Sequence, residues 1–202
     1  MQQITKLCAD SLRTFIDDKY GARLKPTHAH ELVAAFFGYK SNASLRADEI
    51  APISNLRQAE IIVLAPTAPI DQRRQELEGL PDGLPDTYTL GEGVYSGLIA
   101  EKWILNTPWP VFELLAISFA DGYLHQQGMA NTYRSPLREG VKIEREESKV
   151  RLIVLRSYQV FTGGGGVREL QLTTTITLSR VAGYIGYGKP TIEVETNLGA
   201  QL

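Results

Sequence analysis

Two long runs with the character of β-strands constrain the fold of this chain most. Lys149–Phe161 is rich in β-branched and aromatic residues, and residues 167–178 alternate strictly between apolar and polar side chains. A side-chain period of two is typical of a strand with one buried face. The four glycines at 163–166 lie between the runs and predict a hairpin turn, and Pro190–Glu195 predicts a third strand. The pattern indicates an antiparallel meander.

A sheet with one apolar face needs something to cover that face. The segment that starts at Pro110 and runs to Gly122 is apolar on most sides, and it predicts a helix that packs on the meander. A preceding helix is expected over residues 93–105. Its inward residues are expected to be Val94, Leu98, Ile99, Trp103 and Ile104.

The first part of the chain has helical periodicity instead. Residues 3–20 predict an amphipathic helix closed by Gly21, residues 59–65 a short strand, and Asp71 the cap of a polar helix over 72–78. The run at 79–86 holds two prolines and two glycines. We therefore expect an α+β fold with a helical N-terminal region at 1–78, a linker at 79–92 and an α+β region at 93–202.

A helical pair is predicted inside the N-terminal region. Thr27 is expected to cap a helix over 28–37, and Gly38 provides the left-handed residue that ends many helices. Ser41 is expected to cap a second short helix over 42–48.

Helix, glycine turn and helix form the outline of a helix-turn-helix. In that interpretation the second helix offers base or phosphate contacts from Lys40, Asn42, Ser44 and Arg46. Leu45 falls one place later than the usual apolar position, and the polar set carries little charge. The alternative is an αα-hairpin that packs for stability alone, and the pair by itself favours this alternative.

The same stretch carries a resemblance to a known module. His28-Ala-His-Glu-Leu-Val-Ala-Ala-Phe-Phe-Gly-Tyr-Lys-Ser41, followed by Leu45, resembles a small helical module of uncharacterised bacterial proteins on plasmids and other mobile elements. A similar module occurs in a domain labelled glyoxalase-related. The resemblance covers residues 24–48 and includes no metal-binding glyoxalase pattern. It implies a bacterial, mobile-element setting and no particular activity.

Composition indicates a globular protein. Hydrophobic residues make up 43% and charged residues 22% of the chain, and no apolar run reaches the length of a membrane span. The N-terminal residues lack the pattern of a secretion signal. The lone Cys8 lies on the apolar face of the first predicted helix, which favours a buried thiol and a reducing cytoplasm.

Charge is unevenly distributed although the net charge is only −2. Residues 47–101 carry ten acids and three bases, whereas residues 134–180 carry nine bases and five acids. Arg145, Lys149 and Arg151 are therefore further candidates for contacts with a polyanion. The alternative is a solvated strand surface of alternating charge.

No catalytic or cofactor-binding pattern is found. His28 and His30 are two residues apart, whereas metal ligands on one helix face lie three or four apart, so packing or capping is favoured for both. The glycine run at 163–166 lacks the lysine and helix of a phosphate loop. Gly183–Gly188 is interpreted as a bend with aromatic packing. We expect no metal and no cofactor.

Three functional hypotheses follow. The preferred one is a non-enzymatic bacterial accessory protein that binds DNA or a DNA-associated protein. Its contacts would be the residues named above in the second helix of the predicted pair and in the basic strand segment. The second is a protein-interaction or oligomerisation module without affinity for nucleic acid or membranes. Its aromatic anchors would be Trp103, Trp109, Phe112, Tyr184 and Tyr187. The third, less favoured, is a small-molecule enzyme that uses His28, His30 or His125.

Overall fold

The computed structural model describes residues 2–64, 67–126, 134–161 and 167–201. Helices dominate the first part of the chain and long antiparallel strands the last, so the predicted α+β class is confirmed. The predicted glycine turn at 163–166 lies outside the described residues, and so does the side chain of His125.

The chain divides into two compact units. The first contains Met1–Pro108 together with Arg180–Gly188, and the second contains Trp109–Ser179 with Lys189–Leu202. The chain therefore passes from one unit to the other at residues 108/109, 179/180 and 188/189. The expected linker at 79–92 is inside the first unit, and its last residues already belong to a helix that starts at Thr87.

The helices of the first unit enclose an apolar core. They are α1 (Gln2–Tyr20), α2 (Pro26–Phe36), α3 (Asn42–Ala47), α4 (Thr67–Glu76) and α5 (Thr87–Ala100), with a 3-10 helix at Ile53–Gln58. Helix α5 lies very close to α1 because it presents glycines there. A Cβ on Gly97 would lie 2.6 Å from the Cβ of Ser11, whose hydroxyl donates to the carbonyl of Gly93 at 2.8 Å.

Several helix boundaries differ from the prediction. Helix α2 begins at Pro26, so Thr27 is not its cap, because proline needs no hydrogen-bonded N–H in the first turn. Asp71 lies inside α4 rather than at its start, and its carboxylate accepts from the hydroxyl of Thr87. Helix α5 starts six residues before the predicted 93, capped by Asp86, whose carboxylate accepts from the N–H of Thr89 at 2.8 Å.

The inward face predicted for α5 is correct except at one position. Val94 and Leu98 are buried, Ile104 beyond the end of the helix is also buried, and Trp103 is partly buried against the core. Ile99 is instead 47% exposed.

A small ribbon completes the first unit. The predicted strand at 59–65 is reduced to β1 (Ile61–Ile62), which pairs with β5 (Gly186–Tyr187). In turn, β5 pairs with the last residues of β4 (Val167–Ala182), at Arg180 and Ala182. The 3-10 helix immediately before β1 leaves little room for a longer strand.

The second unit contains the predicted meander and one further strand. The strands are β2 (Arg134–Arg145), β3 (Lys149–Phe161), most of β4, and β6 (Thr191–Gln201), all paired antiparallel in the order β2-β3-β4-β6. Strand β3 has the predicted bounds. Strand β2 was not predicted, because its alternation is interrupted by a glycine and many charged residues.

Helix α6 (Phe112–Gln126) covers one face of this meander, as predicted, by packing on β3 and β2. Phe112, Leu115, Ala116 and Ala120 are its buried residues. The guanidinium of Arg156 on β3 is paired with the carboxylate of Asp121 on α6. The predicted role of α6 as the cover of the sheet is therefore confirmed.

Candidate functional site

The corner between α2 and α3 is built as the sequence predicts. Gly38 has a φ of +88°, a conformation that glycine adopts without a Cβ clash. Ser41 caps α3: its hydroxyl accepts from the N–H of Ser44 at 3.1 Å, and the Ser44 hydroxyl accepts from the N–H of Ser41 at 3.1 Å. Leu45 is fully buried beneath α3. The six residues of α3 form a helix about 9 Å long.

The turn between β4 and β5 clamps this corner from behind. The N–H of Tyr184 donates to the carbonyl of Phe37 at 3.0 Å, and the N–H of Gly183 donates to the carbonyl of Ala51 at 2.8 Å. The approach is so close that a Cβ on Gly38 would lie 2.6 Å from the Cβ of Tyr184. The predicted bend with aromatic packing at 183–188 is thus a structural part of the corner.

A buried ion pair fixes the end of α3. Arg180 has a side chain only 1% exposed, and its Nη2 lies 2.5 Å from Oδ2 of Asp48. The same guanidinium donates to the carbonyl of Gly183 at 2.9 Å and stacks 3.6 Å above the ring centre of Tyr184. The hydroxyl of Tyr39 donates to Asp48 as well. The four side chains form one hydrogen-bonded and stacked cluster, so we call them the Arg180 cluster.

The cluster holds Asp48 ionised. Burial by itself raises the pKa of this carboxyl, but hydrogen bonds from Tyr39, the N–H of Ala51 and Arg180 together lower it below its ordinary value. Burial and the hydrogen bond to Asp48 raise the pKa of Tyr39, so its hydroxyl remains a donor. The charges of Asp48 and Arg180 therefore neutralise each other inside the unit.

A second set of contacts, made by Glu31, joins α2 to both α4 and α3. Glu31 on α2 accepts from the guanidinium of Arg73 on α4 at 2.7 Å, and from the backbone N–H of Asn42 at 3.2 Å. Arg73 also pairs with Glu76 at 2.9 Å. The start of α3 is thus held by Glu31 in the same way as its end is held by Asp48.

The outward side of the corner carries the predicted contact residues unequally. Lys40 and Arg46 are exposed, and neither forms an ion pair within the part of the chain that the structure describes. Ser44 is exposed, and its hydroxyl donates to the carbonyl of Ser41 at 2.8 Å. The backbone of Asn42 is engaged by Glu31, and its side chain is half-buried.

Lys40 lies at the rim of a cleft of about 420 Å³. Its other lining residues are Gly38, Tyr39, Pro69, Gln72, Arg73 and Glu76. Arg73 is paired there with both Glu31 and Glu76. Hydrogen bonds from Arg73 and Gln72, together with the nearby charge of Lys40, lower the pKa of Glu76.

Two of the three basic strand residues are paired with neighbouring glutamates. Arg151 lies 3.0 Å from Glu144 and 3.3 Å from Glu146, and Lys149 lies 3.4 Å from Glu146. Arg145 is exposed, with its guanidinium over the ring of Phe112 at 5.6 Å. The surface of β2 and β3 therefore fits the alternative of mixed charge better than a positive patch.

The five predicted aromatic anchors are mostly used inside the units. Phe112 and Tyr187 are buried, which corrects their expected role as interface anchors. Tyr184 is half-buried between Tyr39 and Arg180, and Trp103 is half-buried under the guanidinium of Arg57, 4.2 Å from its ring centre. Trp109 is also half-buried.

The enzymatic hypothesis gains no support from the histidines. The Nδ1 atoms of His28 and His30 are buried without a hydrogen-bond partner in the described part of the chain, and neither side chain caps α2. Neither the cleft beside Lys40 nor a second cleft of about 430 Å³ beside α1 is lined by a histidine. Burial raises the pKa of the Cys8 thiol to about 12, which keeps it protonated.

Over the described ranges, no three or more histidine, cysteine, aspartate or glutamate side chains come together as a metal site would require. None of the helices in those ranges combines the length and apolar character of a membrane span.

Sequence reasoning missed the Arg180 cluster, although one signal pointed to it. The buried positions of β4 alternate through Leu170, Leu172, Thr174, Ile176 and Leu178. Arg180 is the next position in this series, so the same period indicates that its side chain is buried. A buried arginine requires an anionic partner. The partner, Asp48, is 132 residues away and has no local pattern that identifies it.

The comparisons with known proteins add no relative: no protein-family model, no curated protein and no solved structure matches this chain.

Proposed function

We propose that this protein acts by binding, and that the outer side of the α2–α3 corner is the surface that it offers to an anionic partner, with duplex DNA as the first choice. The observation that carries the proposal is the pair of exposed cations, Lys40 and Arg46, neither of which forms an ion pair in the described part of the chain, on a corner where Asp48 and Glu31 are held in internal ion pairs. Their charge is available to phosphates without breaking an internal ion pair.

The shape of the corner supports contact with a backbone rather than extensive base reading. Helix α3 is about 9 Å long, so it presents few side chains to a groove. Ala43 and Ala47 are exposed next to Arg46, and small side chains permit close approach of another molecule. The proposed binding is therefore mainly electrostatic, with weak sequence preference.

The resemblance of residues 24–48 to a module of bacterial mobile-element proteins is consistent with this role. In the reducing cytoplasm of a bacterium that carries such an element, the protein would encounter DNA and DNA-associated proteins. This setting is part of the proposal.

The test is fluorescence anisotropy with a labelled duplex over a range of salt concentrations. Two phosphate contacts predict that affinity falls by roughly 1.8 decades per decade of salt, 0.9 for each cation. The Lys40→Ala, Arg46→Ala double variant should abolish this dependence. A matched control, Lys6→Ala with Lys189→Ala, removes two exposed charges elsewhere and should leave the slope unchanged. Absence of duplex binding at low salt, or equal effects of the two double variants, would refute the proposal.

A second candidate is a protein-interaction module without affinity for nucleic acid. The observation in its favour is the outer side of α6, where Val111 and Leu114 are 41% and 51% exposed. Replacing both by glutamine should then weaken self-association in light scattering over a concentration series. A protein that stays monomeric at every concentration would exclude the self-associating form of this candidate.

A further inference from the structure

Strand β6 has an open edge. It pairs with β4 from Thr177↔Thr191 to Arg168↔Gln201, and it has no second neighbour among the described strands. In an antiparallel strand every second residue directs both its N–H and its C=O to the same side. About half of the backbone groups of β6 therefore point away from β4 and are available to another strand.

The two faces of this edge differ in chemistry. Ile192 and Val194 pair with the buried Ile176 and Thr174, and directly opposed residues share a face, so both lie on the face that contains the core. Ile192 is still 36% exposed and Val194 half-buried, because no strand lies beyond them. An added strand would bury apolar surface at both positions.

The opposite face is acidic along the same edge. Glu193 and Glu195 are exposed, two residues apart, and pair with Thr175 and Thr173 of β4. Neither glutamate forms an ion pair in the described part of the chain. Opposite charges on directly opposed residues stabilise strand pairing, and like charges weaken it.

This spacing argues against a second copy of the chain as the occupant. In the antiparallel self-pairings centred on this segment, Glu193 faces Glu193, Glu193 faces Glu195, or Glu195 faces Glu195. Each of these registers places two carboxylates directly opposite each other. The glutamates therefore disfavour pairing of this edge with the same edge of a second copy. The same pair attracts a strand with cations at alternate positions.

We propose that the β6 edge is a docking site for an extended basic segment of a partner protein, with lysine or arginine at alternate positions and apolar residues between them. The basic side chains would face Glu193 and Glu195, and the apolar side chains would extend the core face beside Ile192 and Val194. The backbone of the segment would continue the sheet. The site is independent of the corner proposed above for anions.

The probe is the peptide Ac-Thr-Lys-Val-Lys-Val-Lys-Thr-NH2, with binding to the full chain followed by fluorescence anisotropy of a labelled form. The wild type should bind it and reject the peptide in which glutamate replaces each lysine. The Glu193→Lys, Glu195→Lys variant should lose at least about tenfold in affinity for the lysine peptide and gain affinity for the glutamate peptide. The control Glu78→Lys, Glu92→Lys changes the net charge equally at exposed sites of the first unit and should retain the wild-type preference.

Two methylated peptides separate strand addition from plain ionic attraction. One carries N-methyl groups on every lysine amide, and the other on every valine amide. Because only one set of amides faces β6 in an added strand, one methylated peptide should lose binding while the other keeps it. Equal binding of both peptides, or equal effects of the two charge variants, would overturn the proposal.

Discussion

The α2–α3 corner and the β2–β3 surface use their charges in opposite ways. The strand segment is the more basic in composition, yet Lys149 and Arg151 lie against glutamates two or more positions away. The corner is thinly charged: its acids Glu31 and Asp48 are paired internally, whereas Lys40, Arg46 and Glu49 are exposed.

The difference shows why the charge composition of a segment is a poor guide to the electrostatic potential at its surface. Cross-strand neighbours are set by register, which brings Glu144 of β2 opposite Arg151 of β3. Such pairs cancel charge that a sequence count records as an excess. At the corner, Asp48 is removed from the surface by Arg180, so the exposed balance becomes more positive than the local sequence indicates.

The largest expected loss of stability comes from replacing Arg180, because this side chain is buried against Asp48. Arg180→Met leaves Asp48 without its cation, and we expect a loss of about 3–5 kcal/mol of unfolding free energy. The matched change at the strands, Arg151→Met, breaks exposed pairs and should cost less than about 1 kcal/mol. Urea unfolding measures both. Equal losses would remove the contrast between the two regions.

Gly38 tests how tightly the corner is clamped. Gly38→Ala introduces a Cβ beside Tyr184 and a strained φ, so about 2–4 kcal/mol should be lost. Gly21→Ala is the control, since Gly21 has a φ of +63° and nothing within 4 Å of its added Cβ. It should show only the conformational cost, about 1 kcal/mol. A corner that tolerates both changes alike is not clamped by the β4–β5 turn.

Asp48 gives the corner a pH dependence. Its pKa is lowered in the folded protein, so its contribution is complete above the ordinary aspartate value, about 4, and is lost as the pH falls through the lower folded value. Asp48→Asn should cost about 1–3 kcal/mol at neutral pH and reduce the steepness of acid destabilisation. Thermal melts between pH 7 and pH 2 provide the measurement. An unchanged acid profile would mean that other carboxyls govern it.

Removing the paired glutamates of β2 and the following turn should change stability least, and it tests whether ion pairing keeps the basic strand residues from binding phosphates. Glu144→Gln with Glu146→Gln should leave the unfolding free energy almost unchanged, because the ion pairs are exposed. It should nevertheless release Lys142, Lys149 and Arg151 for phosphates, because all three are paired with these glutamates, and it should steepen the salt dependence of duplex binding by roughly 2.7 decades per decade. If the slope stays as in the wild type, pairing is not what keeps these cations from binding.

Much of the fold follows from periodicity. The bounds of β3 and the cover provided by α6 were predicted, because long apolar patterns survive tertiary packing. Strand β2 and the early start of α5 were not predicted. The first has a charged and irregular pattern, and the second follows a segment rich in proline and glycine, which resembles a linker although it is packed within the unit.

The candidate site was predictable only on its outer side. Gly38 and Ser41 predict the corner through their local backbone chemistry, and Lys40 and Arg46 lie between and after them on its exposed side. The inner side depends on Arg180 and Tyr184, which are far away in the chain and reach the corner only through the β4–β5 turn. The cancellation of Arg151 by Glu144 depends on strand register and could not be read from composition.

The position of the unit boundary has a practical consequence for spectroscopy. The chain contains two tryptophans, and Trp103 belongs to the first unit while Trp109 opens the second. Replacing Trp103 by phenylalanine therefore leaves a single indole in the second unit, and replacing Trp109 leaves one in the first. The intrinsic fluorescence of the two single-tryptophan proteins follows unfolding from a position in each unit without an added label.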